Sequence, residues 1–502
     1  MESSNKRIAK NTIFLYVRML FSTCISLYTS RVILNTLGVD DFGIYNVVGG
    51  VVAMFSFLNA SMSSATSRFL SFEIGREDFV RLHKVFSSAF TVHLLIALCV
   101  FVLGETIGLW FLQHKLVLPA DRMFAANVIY QVTILMGMLN VIQVPSVALI
   151  MSNERMNVYA FVEILNVCLK LLVVFLLLII PADKLIVYGL LQLLVAILVF
   201  MIYVIYSRRT WRECRFKLFW NKKFLKPIFS FSGWDLYGNF STLVRTQGVS
   251  ILLNIFFGTV LNAASGIATQ VQGAVGAFAG NVLMAVRPQI IKNYAISDYT
   301  RMCFLIEKTS IFTTILLLLF TIPLLVETEY VLSLWLRIVP AYTVVLCRYV
   351  LLFNLFANLS SVIVTGIHAT GRIKRPSIIN GTLYLLVLPF SYVAYHWGQE
   401  PQIAFAFNVI AVFCGMLFNM WTLHLYVPNF RFVAYFRGVL VKGVLIAFVT
   451  YSSSYWLILQ LERGFIRLVV ITLFSSFCLL LFTYFFVLSN EEKAKVKLNI
   501  NI

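Results

Sequence analysis

The sequence predicts an all-α polytopic membrane protein, with fourteen transmembrane helices in two pseudo-symmetric six-helix lobes plus a C-terminal helix pair. Three observations predict it. The 502 residues are 60% hydrophobic and only 12% charged, about half the charge density of an ordinary soluble chain. Apolar runs of about 20 residues, the length that spans hydrocarbon, recur from end to end. The basic residues cluster on alternate connections between those runs, the pattern that the positive-inside rule produces.

The first lobe, 1–206, contains predicted spans at 11–33, 42–66, 85–112, 123–150, 158–180 and 185–206. A basic connection, 207–227, follows it. The second lobe, 228–427, contains spans at 228–257, 261–286, 306–326, 343–366, 376–397 and 402–427, and 428–502 holds two more, 438–458 and 466–488, with a basic tail. The loops are short, with no room for an extramembrane domain. MESSNKRIAK precedes an apolar run too long for a signal peptide and lacking a small-residue cleavage site, so it reads as the lead-in to a retained first helix.

Charge orients the chain. Of 40 Lys and Arg, the odd-numbered connections hold six: Lys115, Arg122, Lys184, Arg337, Arg463 and Arg467. The N-terminus, the even-numbered connections and the tail hold most of the rest, eight of them between spans six and seven. Both termini are therefore expected on the cytoplasmic side. The net charge of +19 is mainly topology signal on one face, and no nucleic-acid partner is expected. The mixed basic and aromatic stretch RRTWRECRFKLFWNKKFLKP, 208–227, reads either as an interfacial helix on anionic lipid or as a bare orienting linker.

A faint repeat relates the lobes. An offset of 219 places Asn35 on Asn254 and Arg68 on Arg287, at the ends of spans one and seven and of spans two and eight. Six spans per half would make the repeats parallel, one of the two schemes found in secondary transporters, with a central cleft between the halves.

The polar content of the spans points to what such a cleft would take. In span one Asn11, Arg18, Ser22, Ser26 and Thr29 recur at helical spacing on one face, so Arg18 sits on a polar stripe. Span seven carries Asp235, Asn239, Thr242 and Arg245 on one face, with no acid near Arg245 in sequence; a partner on another helix, or an anionic ligand, is expected. Span eight, VLNAASGIATQVQGAVGAFAGNVLMAV, holds Gln270, Gln272 and Asn281 among recurring glycines. The segment around span two is similar, with Asn46, Asn59 and four serines. Small residues allow close helix packing; they also allow a wet wall. Intramembrane acids are sparse: Glu105, Glu163, Asp235 and Glu307. Glu163 and Lys170, seven residues apart, lie close to one face. Asn354, Asn358, Ser361 and Thr365 make a stripe in span ten, and Arg348 near its start is close enough to the outer surface to be an anchor. The net intramembrane sign is positive, which suits an anionic substrate, above all a phosphate that arginine grips bidentately.

Other classes lack their signatures. There is no GxxxxGK[ST] loop, no kinase set, no HExxH and no CxxC, and the eight cysteines and six histidines are dispersed. No catalytic residue, metal or cofactor is expected.

The opening KNTIFLYVRMLFSTCISLYTSRVILNTLGVDDFGIYNVVGG, then SSATSRF, then SFSGWDLYGNF resemble the bacterial polysaccharide flippase family of the multidrug/oligosaccharidyl-lipid/polysaccharide exporter superfamily. The most specific element is LGVDDFGIYN, 37–46, read as a short turn between spans one and two. The resemblance covers essentially the whole chain. It implies a transporter, not an enzyme, that flips undecaprenyl-pyrophosphate-linked oligosaccharide from the inner to the outer leaflet of the bacterial inner membrane, supplying surface polysaccharide such as O-antigen, the glycan of lipopolysaccharide, or capsule. Polysaccharide polymerase or ligase partners would act on the product. By the same resemblance Arg18 and Arg245 are candidates for the pyrophosphate. Ser22, Asn46, Asn59, Asn239, Gln270 and Gln272 are candidate cleft residues, and Glu163 and Asp235 are candidate ion-coupling carboxylates. The alternative is a cation-coupled exporter of drugs or other small molecules; a membrane glycosyltransferase is a distant third.

Overall fold

The computed structural model describes residues 2–53, 56–114, 120–211, 221–257, 259–336, 339–486 and 493. The helices are α1 (Glu2–Ala53), α2 (Ser56–Gly75), α3 (Phe79–Leu103), α4 (Leu109–His114), α5 (Met123–Ile142), α6 (Val144–Ser152), α7 (Met156–Ile179), α8 (Lys184–Thr210) and α9 (Lys222–Phe257). They continue with α10 (Thr259–Ala295), α11 (Tyr299–Val326), α12 (Thr328–Leu336), α13 (Thr343–Thr370), α14 (Lys374–His396), α15 (Ile403–Tyr426), α16 (Phe432–Tyr435), α17 (Lys442–Ile458) and α18 (Phe465–Phe486). Among the described residues thirteen stretches are long and apolar enough to cross a membrane, and the chain is a multi-pass helical membrane protein. Large apolar side chains such as Phe161, Ile179 and Phe448 point outward, while Thr66, Ser310, Thr313 and Asn419 are fully buried. In lipid no hydrophobic force drives leucine inward, so small and polar groups do the interior packing.

The predicted second span, 42–66, has no single apolar helix to match it. α1 runs unbroken through 37–46, so the turn expected at LGVDDFGIYN is helical instead. LGVDDFGIYN holds two glycines, Gly38 and Gly43, and no proline, and each glycine costs a helix only about 1 kcal/mol. The rest of that span lies in α2, beyond residues 54–55, which fall outside the described residues.

By contacts the chain divides into two compact units, Met1–Asn239 and Phe240–Ile502. In the first, α1 packs on α5, α7 and α8, and α2 on α3 and α6. At one end Arg7 pairs with Glu154 at 3.0 Å, and Ser71 donates to Ser152 at 2.9 Å. At the opposite end Arg122 joins Asp41 at 2.5 Å and Asp183 at 2.7 Å. Residues 7 and 71 thus lie toward one end of this unit and residue 41 toward the other. The Arg122 cluster ties α1 at Asp41 to the residues just before α5 and α8, sites far apart in sequence. Burial alone would push Asp183 up, but the Arg122 hydrogen bond and the N–H groups of Ile186 and Leu185 carry it below the ordinary carboxylate value.

In the second unit α13 is central, packing on α10, α11 and α15, with α14 on α15. A Cβ on Gly366 would lie 2.7 Å from Ile306, so glycine sets the α13–α11 approach. The C-terminal pair α17 and α18 packs on α11 through Leu318, Ile322, Ile446 and Leu479. Glu327, at the end of α11, is 2% exposed and pairs with Arg467 at 2.6 Å; Tyr435 donates to Ser310 at 2.6 Å.

The two units share a local device. Glu77, at φ 57°, precedes Asp78, whose side chain caps α3 by accepting from the Arg81 N–H. Ser297, at φ 62°, precedes Asp298, which caps α11 through the Arg301 N–H in the same way. A residue forced into left-handed backbone and then an Asp cap is a specific way to reverse direction between helices. Its recurrence 220 residues later extends the faint sequence repeat.

Candidate functional site

Arg245 of α9 is the most distinctive charge in the second unit. It is 7% exposed. Nη1 donates to Asn408 Oδ1 on α15 at 2.5 Å, and the guanidinium lies 5.0 Å from the Phe353 ring of α13 and 4.9 Å from the Tyr384 ring of α14. Nε has no hydrogen-bond partner, and no carboxylate lies within ion-pairing distance among the described residues. Two aromatic faces and one amide thus hold a full positive charge without neutralising it. The polar groups nearby in the fold are also uncharged. Asn354 donates to the Gln272 carbonyl at 2.9 Å, and Asn358 to Thr313 at 2.8 Å. Asn419 links Ser360 and Asn380, at 2.9 and 3.1 Å. These amides are satisfied by neutral partners and add no charge beside Arg245.

In the first unit Arg18 of α1 is half-buried. Its Nη1 donates to the Tyr159 hydroxyl on α7 at 3.3 Å, with the guanidinium 5.2 Å from that ring. One turn along α7, Glu163 accepts from Tyr203 of α8 at 2.8 Å. Arg18 and Glu163, proposed separately from sequence for anion binding and ion coupling, therefore belong to one Arg–Tyr–Glu–Tyr cluster. Tyr159 and Tyr203 were not singled out from the sequence. Tyr159 stands four residues before Glu163, a spacing that would have marked it. Lys170 is exposed and does not join this cluster.

The remaining candidates are scattered. Ser22 is half-buried on α1. Asn239 donates to Asp235 one turn away on α9, at 3.5 Å. Gln270 is exposed on α10 and Gln272 half-buried, its backbone carbonyl taken by Asn354. The side chains of Asn46 and Asn59 lie outside the described residues. Sequence reasoning missed Asn408, Phe353 and Tyr384. Asn408 stands alone in the apolar run IAFAFNVIAVF, and a lone amide in a span is a signal for a buried partner. Nothing local in sequence marks the two rings. Among the described residues no group of His, Cys, Asp and Glu is arranged to hold a metal.

Comparison with known proteins agrees with this architecture. A MATE-family multidrug resistance transporter of the MOP superfamily, in an outward-facing conformation, superposes with a TM-score of 0.71 at 12% identity, over 85% of this chain and 97% of that one. A crystal structure of a MATE mutant gives 0.73 at 13%, with the same coverage. A MOP-superfamily transporter from Pyrococcus furiosus, described as having a binding pocket of reversed polarity, gives 0.67 at 14%, over 86% and 96%. At these identities the likeness is one of fold: an all-helical, multi-pass membrane architecture. No curated protein matches the chain. The model of the family described as polysaccharide biosynthesis protein matches residues 8–298, more than half the chain, and the chain belongs to that family.

Proposed function

We propose that this protein flips an undecaprenyl-pyrophosphate-linked oligosaccharide from the cytoplasmic to the outer leaflet of the bacterial inner membrane, for surface polysaccharide such as O-antigen or capsule. Fourteen crossings form two six-helix lobes and a terminal pair, with both termini cytoplasmic, and the lobes alternate access to a cleft. The observation that carries the reading is Arg245, a buried cation that, among the described residues, has a donor unclaimed and no acid beside it. A pyrophosphate supplies the missing negative charge and accepts the unclaimed donor; an organic cation would be repelled. Arg18 is the candidate anion group of the first lobe, and Glu163 the carboxylate most closely tied to it. The sugars meet amides and hydroxyls, while the polyprenyl tail stays in lipid.

Complementation tests this. A deletion strain is restored with wild-type, Arg18→Ala or Arg245→Ala protein at matched membrane abundance. Surface glycan and lipid-linked precursor are then measured. Loss of surface glycan with precursor accumulation, in the deletion and in both variants, is the expected result. Normal surface glycan in the deletion, in a strain without a second flippase, sinks the function and leaves small-molecule export as the reading. A strong deletion phenotype with fully active variants keeps the function and removes both arginines from the site.

A further inference from the structure

A groove of about 460 Å³ opens between α11, α13 and α17, where the C-terminal pair packs on the rest of the second unit. The three helices run alongside it, and the lining residues fall into levels. At one end stand Arg348 and Tyr451; Phe448, Leu355 and Leu318 follow, and Leu359 marks the other end. From Arg348 to Leu359 is eleven residues of α13, about 17 Å of helix. That is close to half of the ~30 Å hydrocarbon core, the depth of one leaflet.

Its polar end has the chemistry of a headgroup level. Arg348 is exposed, and among the described residues no carboxylate or carbonyl takes its hydrogen bonds. The arginines at the same end of the unit are engaged, Arg467 with Glu327 and Arg463 with Glu329. Tyr451 stacks on Tyr455 at 6.1 Å, and Trp456 is 64% exposed beside them. Tyrosine and tryptophan collect where hydrocarbon meets headgroups.

We infer that this groove is a specific site for an anionic glycerophospholipid, which sets its phosphate against Arg348 and lays one acyl chain between α11, α13 and α17. The length of the groove argues for a leaflet lipid: a chain of that depth fills it, whereas a long polyprenyl chain would overrun it. The bound lipid packs the seam between the terminal pair and the unit that carries Arg245.

The test uses full-length protein purified in a mild detergent. Dioleoylphosphatidylglycerol and dioleoylphosphatidylcholine are titrated in, and retained lipid is counted by native mass spectrometry. One phosphatidylglycerol is retained about fivefold more tightly than phosphatidylcholine, the factor expected of one arginine at an anionic headgroup. Arg348→Ala abolishes the preference; having no partner to lose, the variant keeps the wild-type unfolding midpoint. Val444→Trp fills the groove from an exposed position and lowers retention of both lipids. Equal retention of the two lipids by wild type, or an undiminished preference in Arg348→Ala, overturns the proposal. Displacement of phosphatidylglycerol by equimolar undecaprenyl phosphate overturns it in favour of a carrier-lipid site.

Discussion

Replacing Asn408 by aspartate changes one atom type and inverts the logic of the site. Asn408 Oδ1 lies 2.5 Å from Arg245 Nη1, so an aspartate in the same rotamer places a carboxylate about 4 Å, centre to centre, from the guanidinium. At an effective dielectric near 20 that pair is worth about 4 kcal/mol. The amide already supplies about 2 kcal/mol as a hydrogen bond to a charged group. The difference, about 2 kcal/mol, is lost to any anion that competes for Arg245, a roughly 30-fold weaker grip. The assay is the same complementation, read as surface glycan and accumulated precursor, alongside the unfolding midpoint of the purified variant. Asn408→Asp should fold at least as stably as wild type and fail to export. Asn408→Leu should do the reverse: it strips Arg245 of its one hydrogen-bond acceptor, costs about 1–3 kcal/mol of stability, and leaves the charge free for the substrate. Export at the wild-type rate by a stable Asn408→Asp protein would refute the idea that the positive charge of Arg245 is what the substrate meets.

Two further predictions concern the ends of the units. Arg467→Ala leaves Glu327, 2% exposed, as an unpaired buried charge and should cost about 3–5 kcal/mol. Arg463→Ala breaks the exposed pair with Glu329 and should cost under about 1 kcal/mol; unfolding midpoints in detergent separate the two. Arg122→Ala removes the cation between Asp41 and Asp183, a part-exposed cluster worth about 1 kcal/mol after solvent screening. Because the Asp183 pKa is lowered from 3.8 in the fold, its contribution is complete above that pH and is lost as the pH falls through the lower folded value. The acid side of the midpoint-versus-pH curve should therefore flatten in Arg122→Ala; an unchanged acid limb would show that the cluster contributes nothing.

The helices were legible because hydrocarbon leaves the backbone little choice. Thirteen of the fourteen predicted spans meet an apolar helix at the expected place. The miss was local. LGVDDFGIYN has the turn-forming residues Gly, Asp and Asn, yet α1 continues through it, since no proline breaks the hydrogen-bond ladder. Site residues were legible when their chemistry was anomalous in itself, as with Arg18, Glu163 and Arg245. Their partners were not. Tyr159, Tyr203, Phe353 and Tyr384 are ordinary residues of apolar spans, and only packing gives them a role. Asn408 lies 163 residues from Arg245, and no pattern in one sequence carries a pairing over that distance.

The two arginines are not equivalent, and the difference bears on how a bound anion could be released. Arg18 donates to Tyr159, one helical turn from Glu163, which in turn is held by Tyr203. A carboxylate within that cluster offsets the charge of Arg18, and the offset changes if Glu163 shifts its hydrogen bond. Arg245 is held by two rings and an amide, with no carboxylate among these partners. Under the proposed function Arg245 would supply the constant attraction for an anion, and the Arg18 cluster the part that can change. Glu163→Gln removes the offset while keeping the hydrogen-bonding shape. It should therefore hold the anion more tightly and slow its release, whereas Arg245→Ala should weaken capture. A single site of uniform charge would give both variants the same defect.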